Sequence, residues 1–416
     1  MEETDIKIDE TILTQFLRNN QVSTEISEAL IGWHASLRGK APELVRKKAK
    51  EFLNLVAEES LGELHLPQDK QKKLVEVFEP LEKIFRLAVS LRKNENVRDH
   101  LNHTIRNYLL SNYILLKYGS EESKLSKNLA VASIFHDIAY PIEKFKMGTR
   151  NLAEEVFQEF FSSKGRMNFE LGEASNLLEV LDIIGSFDNE DMSFIYTEIV
   201  APAIAGKGLF DAPHCLCSVI LFLRPIILDW KNSETYWKTK TNEIADICKA
   251  MAFHDRKMYP KSLNNTQLSF TVKSLRMADE FQEWGRDEDP SHSFVKSVKL
   301  NKTNPNEFIK LIFYLQDSST MECRPEVAIS DKLIGLIPIV ESERIILSFY
   351  LPRKTNLDFR TSLKARMQSC RFINKPHIQI DLSKFVSFSN QKRRGDLVDI
   401  SIHEGKAEVD IHDRIQ

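Results

Sequence analysis

Apolar residues recur every three to four positions over most of the first 290 residues, the period of an α-helix with one buried face. The spacing predicts helices over 9–17, 22–37, 40–57 and 72–91. In the last of these, Leu74, Phe78, Leu81, Phe85 and Ala88 form one stripe, and Pro80 inside it predicts a kink or a split. A long apolar helix is predicted from 98 to about 117, stopped by Gly119. Further helices are predicted over 126–137, from 141, and over 152–161, 171–184, 193–201, 211–223, 243–253 and 270–284. Pro141 and Pro213 fall at helix starts, where a missing N–H breaks no hydrogen bond.

The pattern changes near residue 289. Strand-like runs at 295–300, 308–315, 345–351 and 377–380 alternate with helix-like runs at 328–336 and 360–371, and 397–402 with 407–411 reads as a terminal hairpin. The expected fold class is mainly α. A helical segment, 1–95, packs on a helical bundle domain, 96–289, which is followed by a small α+β domain, 290–416.

Composition narrows the partners. The chain has 416 residues, 42% hydrophobic and 28% charged, the balance of a soluble globular protein whose core needs no disulfide or metal staple. A net charge of −3 carries no global basic bias, which argues against nucleic acid as a partner. The five cysteines form no C-x-x-C pair and read as reduced. Met1-Glu2-Glu3-Thr4-Asp5 is acidic, the reverse of a signal peptide. The most apolar run, 215–228, is interrupted by Arg224 and Pro225 and is too short for a bilayer. The expectation is a cytoplasmic protein with no membrane partner.

The candidate chemistry lies in Phe135-His136-Asp137-Ile138-Ala139-Tyr140-Pro141. Imidazole nitrogen and carboxylate oxygen at a helix end can converge on one transition-metal ion. Eleven histidines would produce roughly one His-Asp dipeptide by chance, and the chain has three, so the pair signifies only through its surroundings. Those surroundings are polar residues at helix ends or in mid-helix, in the order His103, His136-Asp137, His214, His254, Asp279. Each falls on a different predicted helix, the way a bundle builds an internal metal site. Four imidazoles and two carboxylates suffice for two adjacent divalent ions (Mn, Fe, Co, Ni, Zn or Mg), with Asp137 as the bridge.

This order resembles the HD-domain metal-dependent phosphohydrolase superfamily, in the branch with ligands H…HD…H…H…D. The matching segments are Arg98-Asp99-His100 to His103, Phe135-His136-Asp137-Ile138, His214 with Ser218, Ala252-Phe253-His254, and Met277-Ala278-Asp279-Glu280-Phe281. The resemblance implies metal ligation by His103, His136, Asp137, His214, His254 and Asp279, with His100 as the alternative first histidine. It also implies a nucleotide substrate, a nucleoside or deoxynucleoside triphosphate or a cyclic nucleotide, hydrolysed by a metal-activated water. Asp137 and Lys144 are the expected catalytic residues, and Arg98, Arg106, Lys257 and Arg276 the expected phosphate contacts. Bacterial relatives of this kind sometimes serve nucleotide signalling or antiviral defence. The same ligand order is used by HD-type di-iron oxygenases, and an HD core can also serve as a nucleotide sensor without turnover. For residues 290–416, homo-oligomerisation, effector binding and covering the active site are all open.

Overall fold

The computed structural model describes residues 3–19, 22–38, 41–79, 81–83, 100–118, 127–141, 213–227, 241–255 and 269–282, and in the C-terminal part 295–301, 309–315, 344–350, 379–381, 396–403 and 406–413, with 327, 329–330, 332, 336, 362 and 365. The described part is mostly helical. Its helices are α1 (Glu3–Asn19), α2 (Thr24–Ser36), α3 (Pro42–Glu63), α4 (Gln68–Glu76), α5 (His100–Tyr118), α6 (Lys127–Phe135), α7 (His214–Ile227), α8 (Thr241–Phe253) and α9 (Phe270–Phe281). The helices expected at 152–161, 171–184 and 193–201 lie outside the described residues.

Local chemistry sets the helix bounds. Ser23 caps α2 by accepting the Ile26 N–H at 3.4 Å, and Ser269 caps α9 by accepting the Val272 N–H at 3.3 Å. Proline occupies the first turn of α3. Helix α4 ends at Glu76, and Pro80, where a kink or split is expected, lies outside the described residues. The expected end of the 211–223 helix is corrected: α7 runs through Arg224 and Pro225 to Ile227. The expected 126–137 helix ends at Phe135, so His136 and Asp137 lie in the turn that follows it.

Helix α6 organises the bundle. Every residue from Leu129 to Phe135 is buried, and the helix packs against α3, α5, α8 and α9. A short helix apolar on all sides belongs at the centre of a core. Burial of Leu129, Val131, Ile134 and Phe135 contributes roughly 1.5–3 kcal/mol each. Phe135 packs on Phe78 and Phe222 at ring-centroid distances of 5.4 and 5.7 Å. Because α6 is central, the residues directly after it emerge inside the bundle.

The outer helices are tied to α5 by buried polar contacts. Trp33 on α2 donates its Nε1–H to Asn102 Oδ1 at 2.8 Å. Arg106 reaches Asp9 on α1 through Nε and Nη2, at 3.0 and 2.8 Å, with both side chains buried.

Six described strands, β1 (Val295–Asn301), β2 (Ile309–Leu315), β3 (Arg344–Tyr350), β4 (Gln379–Asp381), β5 (Asp396–His403) and β6 (Lys406–Asp413), form one sheet in the order β1-β2-β3-β5-β6-β4. The pair β2–β3 is parallel, while β5 and β6 pair antiparallel from Asp396↔Asp413 to His403↔Lys406. The expected helix-like runs at 328–336 and 360–371 lie mostly outside the described residues. Helix α1 contacts β1, and Lys332 Nζ donates to the Glu280 carbonyl of α9 at 2.5 Å. No described helix is long and apolar enough to cross a membrane.

Candidate metal centre

Two of the histidines are built in the same way. His136 directly follows the last residue of α6 and His254 directly follows the last residue of α8. The last carbonyls of a helix have no partner inside it. His136 Nδ1–H donates to the Ser133 carbonyl at 2.8 Å, and His254 Nδ1–H donates to the Met251 carbonyl at 2.6 Å. These bonds fix the tautomer and turn each Nε2 lone pair away from its own helix.

The other two rings obey the same rule with side-chain anchors. His103 Nδ1 meets Gln282 Oε1 at 2.5 Å, and His214 Nδ1 lies 3.5 Å from Asp255 Oδ2. All four Nε2 atoms therefore face a common interior. His103 sits one turn into α5, His214 is the first residue of α7, and Asp279 lies near the end of α9.

Asp137 stands between these rings. Its Oδ2 lies 3.3 Å from His103 Nε2 and 3.6 Å from His136 Nε2, while its Oδ1 lies 3.2 Å from His214 Nε2 and 3.1 Å from His254 Nε2. Asp279 Oδ1 is 3.2 Å from His103 Nε2. The donor atoms of His103, His136 and Asp279 form one compact group, and those of His136, Asp137 and His254 form another. Such buried His/Asp groups can hold a metal ion.

The turn that presents Asp137 is clamped. Its carbonyl accepts from Tyr140 N–H at 2.8 Å and from His100 Nε2 at 2.7 Å. The His100 ring stacks on Tyr140, and Ala139 N–H donates to Ser218 Oγ of α7 at 3.1 Å. His100 thus supports the Asp137 backbone, whereas His103 faces the cluster.

Electrostatics follow from burial. Desolvation lowers the His136 ring to about 4, so it stays neutral with its lone pair available. Burial works against ionisation of Asp137, but the imidazoles of His136, His214 and His254 around its carboxyl outweigh it and hold the carboxyl well below the usual range. The cluster is closed on most sides. The side chains of His103, His136, Asp137 and His254 are at most 4% exposed, whereas His214 and Asp279 are 14% and 20% exposed and form its open edge.

The cationic candidates distribute differently. Arg106 is engaged with Asp9, and Arg276 reaches Glu280 Oε1 at 3.0 Å with both side chains buried. Both guanidinium groups thus have protein carboxylates as partners. Arg98, Lys144 and Lys257 lie outside the described residues.

Four residues of the site escaped the sequence reading: Asn107, Gln282, Asp255 and Ser133. Two carried a usable signal. Asn107 is four residues after His103 on α5, hence on the same face, and Gln282 is three residues after Asp279. The carbonyl of Ser133 carried none, since every residue has one.

Comparison with protein-family models, curated proteins and solved structures finds no match to this chain.

Proposed function

We propose that the chain is an HD-type metal-dependent phosphohydrolase that cleaves a phosphate bond of a nucleotide at this cluster. The observation that carries the reading is the placement of Asp137, whose Oδ2 is 3.3 Å from His103 Nε2 and whose Oδ1 is 3.1 Å from His254 Nε2. One carboxylate shared by two sets of imidazoles is what a pair of adjacent divalent ions requires.

His103, His136, Asp279 and Asp137 Oδ2 would hold one ion, and His214, His254 and Asp137 Oδ1 the other. When bound, such ions polarise a phosphoryl oxygen and bring the ionisation of water toward neutral pH. The chain contributes orientation: each ring is aimed by its Nδ1 anchor, and Asp137 is aimed by the clamp from His100, Tyr140 and Ser218. Buried walls exclude water, and the substrate enters at the edge formed by His214 and Asp279.

The nucleotide class is supported by the order of the motifs, which resembles the phosphohydrolase branch. Lys144 is assigned to the developing charge, and Arg98 and Lys257 to the phosphate, on their closeness in sequence to ligands. Arg106 and Arg276 are not assigned, because Asp9 and Glu280 hold them. Residues 290–416 act as an accessory domain, joined to the site through Lys332 and Glu280, the neighbour of Asp279.

The test is elemental analysis of the purified chain with phosphate release from a nucleotide panel in Mn²⁺, Co²⁺ or Mg²⁺. Close to two ions per chain with turnover of one nucleotide class is expected. Iron with oxygen uptake and no phosphate release would replace this reading with an oxygenase. A chain that binds nucleotide but neither ion nor turnover would replace it with a sensor.

A further inference from the structure

Asn107 occupies an unusual position. It is fully buried, and its Nδ2 lies 2.9 Å from His103 Nε2, 3.1 Å from His136 Nε2 and 3.2 Å from Asp279 Oδ1. These three atoms are the first of the two compact donor groups. An amide nitrogen carries two hydrogens, so it cannot satisfy three acceptors at once. Its other end is worse placed, because Asn107 Oδ1 is buried with no hydrogen-bond partner among the described residues. A buried carbonyl left unmatched costs about 1–3 kcal/mol.

Turning the amide by 180° about its terminal torsion exchanges oxygen and nitrogen with little change of shape. Oδ1 would then join His103 Nε2, His136 Nε2 and Asp279 Oδ1 as a fourth lone-pair donor, with Asp137 Oδ2 as a fifth at 3.3 Å from His103 Nε2. Without a cation those lone pairs repel one another, and the amide sits with its hydrogens inward. Around a cation the same crowding becomes a coordination shell. Octahedral bonds of about 2.1 Å set neighbouring donors about 3.0 Å apart. The edges here, 2.9, 3.1 and 3.2 Å from the amide nitrogen and 3.2 Å between His103 and Asp279, match that spacing.

We propose that Asn107 is a metal ligand, its side-chain carbonyl completing a five-donor protein shell around the ion held by His103, His136, Asp279 and Asp137. The proposal rests on the metal reading above and goes beyond it. Five protein donors leave one octahedral position for water or substrate. This shell suits Mn²⁺, Fe²⁺ or Co²⁺ better than zinc, which is almost always four-coordinate in closed sites. The two halves of the centre are therefore unequal. The Asn107 half is buried and donor-rich, while the His214/His254 half has three donors and the exposed edge. Ions load in sequence, the Asn107 half first.

The experiment is a Mn²⁺ titration of the full-length, chelator-treated chain, read by calorimetry and by electron paramagnetic resonance, in wild type and in Asn107→Leu. Wild type is expected to show a tight and a weak site, and Asn107→Leu to weaken the tight one by on the order of tenfold or more. The weak site should keep its affinity. Wild type with two sites and an unchanged tight site and spectrum in Asn107→Leu overturns the role of Asn107 and leaves the metal reading standing. Wild type that takes up no ion overturns both. Should Asn107→Leu fail to fold, the Mn²⁺-loaded wild-type crystal structure decides. An Asn107 side-chain atom about 2.0–2.3 Å from the ion supports the proposal, and one beyond about 3 Å overturns it.

Discussion

His214 Nε2 faces His254 Nε2 at 3.2 Å, and each ring has its Nδ1 turned to an acceptor behind it, Asp255 Oδ2 for one and the Met251 carbonyl for the other. Two lone pairs point at each other, and Asp137 Oδ1 adds a third donor 3.2 and 3.1 Å away. A cation relieves that repulsion only in the folded chain. Divalent metal is therefore expected to raise the thermal midpoint of the chelator-treated protein. At a hundredfold excess over Kd the gain is about 2.7 kcal/mol. A scan with and without Mn²⁺, Co²⁺ or Zn²⁺ measures it, and an unmoved midpoint with all three would count against the site.

In the proposed assignment Asp137 holds both ions, whereas His136 holds one. Asp137→Ala should lose both ions and His136→Ala should retain about one, and both should lose phosphate release. Metal content measured beside turnover separates the two variants. Full activity in either would sink the assignment.

Acid should destabilise the metal-free chain. The unfolded His136 ring takes up a proton near its ordinary value of 6.5, the folded ring only near 4, because burial disfavours the charged form. Between these pH values the unfolded state binds more protons. The contribution is thus complete above about 6.5 and is lost as pH falls toward 4. Asp137 acts with the same sign at lower pH, since its carboxyl is held below the usual range. Urea midpoints in chelator at pH 7.5 and pH 5 should differ, on the order of one to a few kcal/mol. Equal midpoints would refute the claim.

The buried pair Arg106–Asp9 fastens α1 to the helix that carries His103. Asp9→Ala strands a buried guanidinium and should cost about 3–5 kcal/mol. Asp9→Leu with Arg106→Met removes both charges and should recover most of that loss. Urea unfolding of the single and double variants tests it, and a single variant within about 1 kcal/mol of wild type would show that the pair is not holding the helix.

How much of this was legible can be judged residue by residue. The helical period located each of α1 to α9, because burial of one face leaves its mark every three to four positions, though not its ends: α4 closes at Glu76 where the stripe predicted a helix to 91. Where it erred, at the end of α7, an apolar run continued through Pro225, and its packing carried the helix past a local breaker. The order His103, His136-Asp137, His214, His254, Asp279 was visible because imidazole and carboxylate at helix ends are rare types in apolar surroundings.

What the sequence determined by itself is therefore the inventory: which segments are helical, which face each buries, and which metal-compatible side chains each helix carries. Only the tertiary structure decided which of those side chains meet. It turned His103 inward and gave His100 to the Asp137 backbone, committed Arg106 to Asp9, and brought Asn107 against three donor atoms from three different segments. The reason is geometric. Periodicity reports direction around a single helix axis, whereas the distance between atoms on different helices depends on how whole side chains interlock across α5, α6, α8 and α9, and no local pattern encodes that.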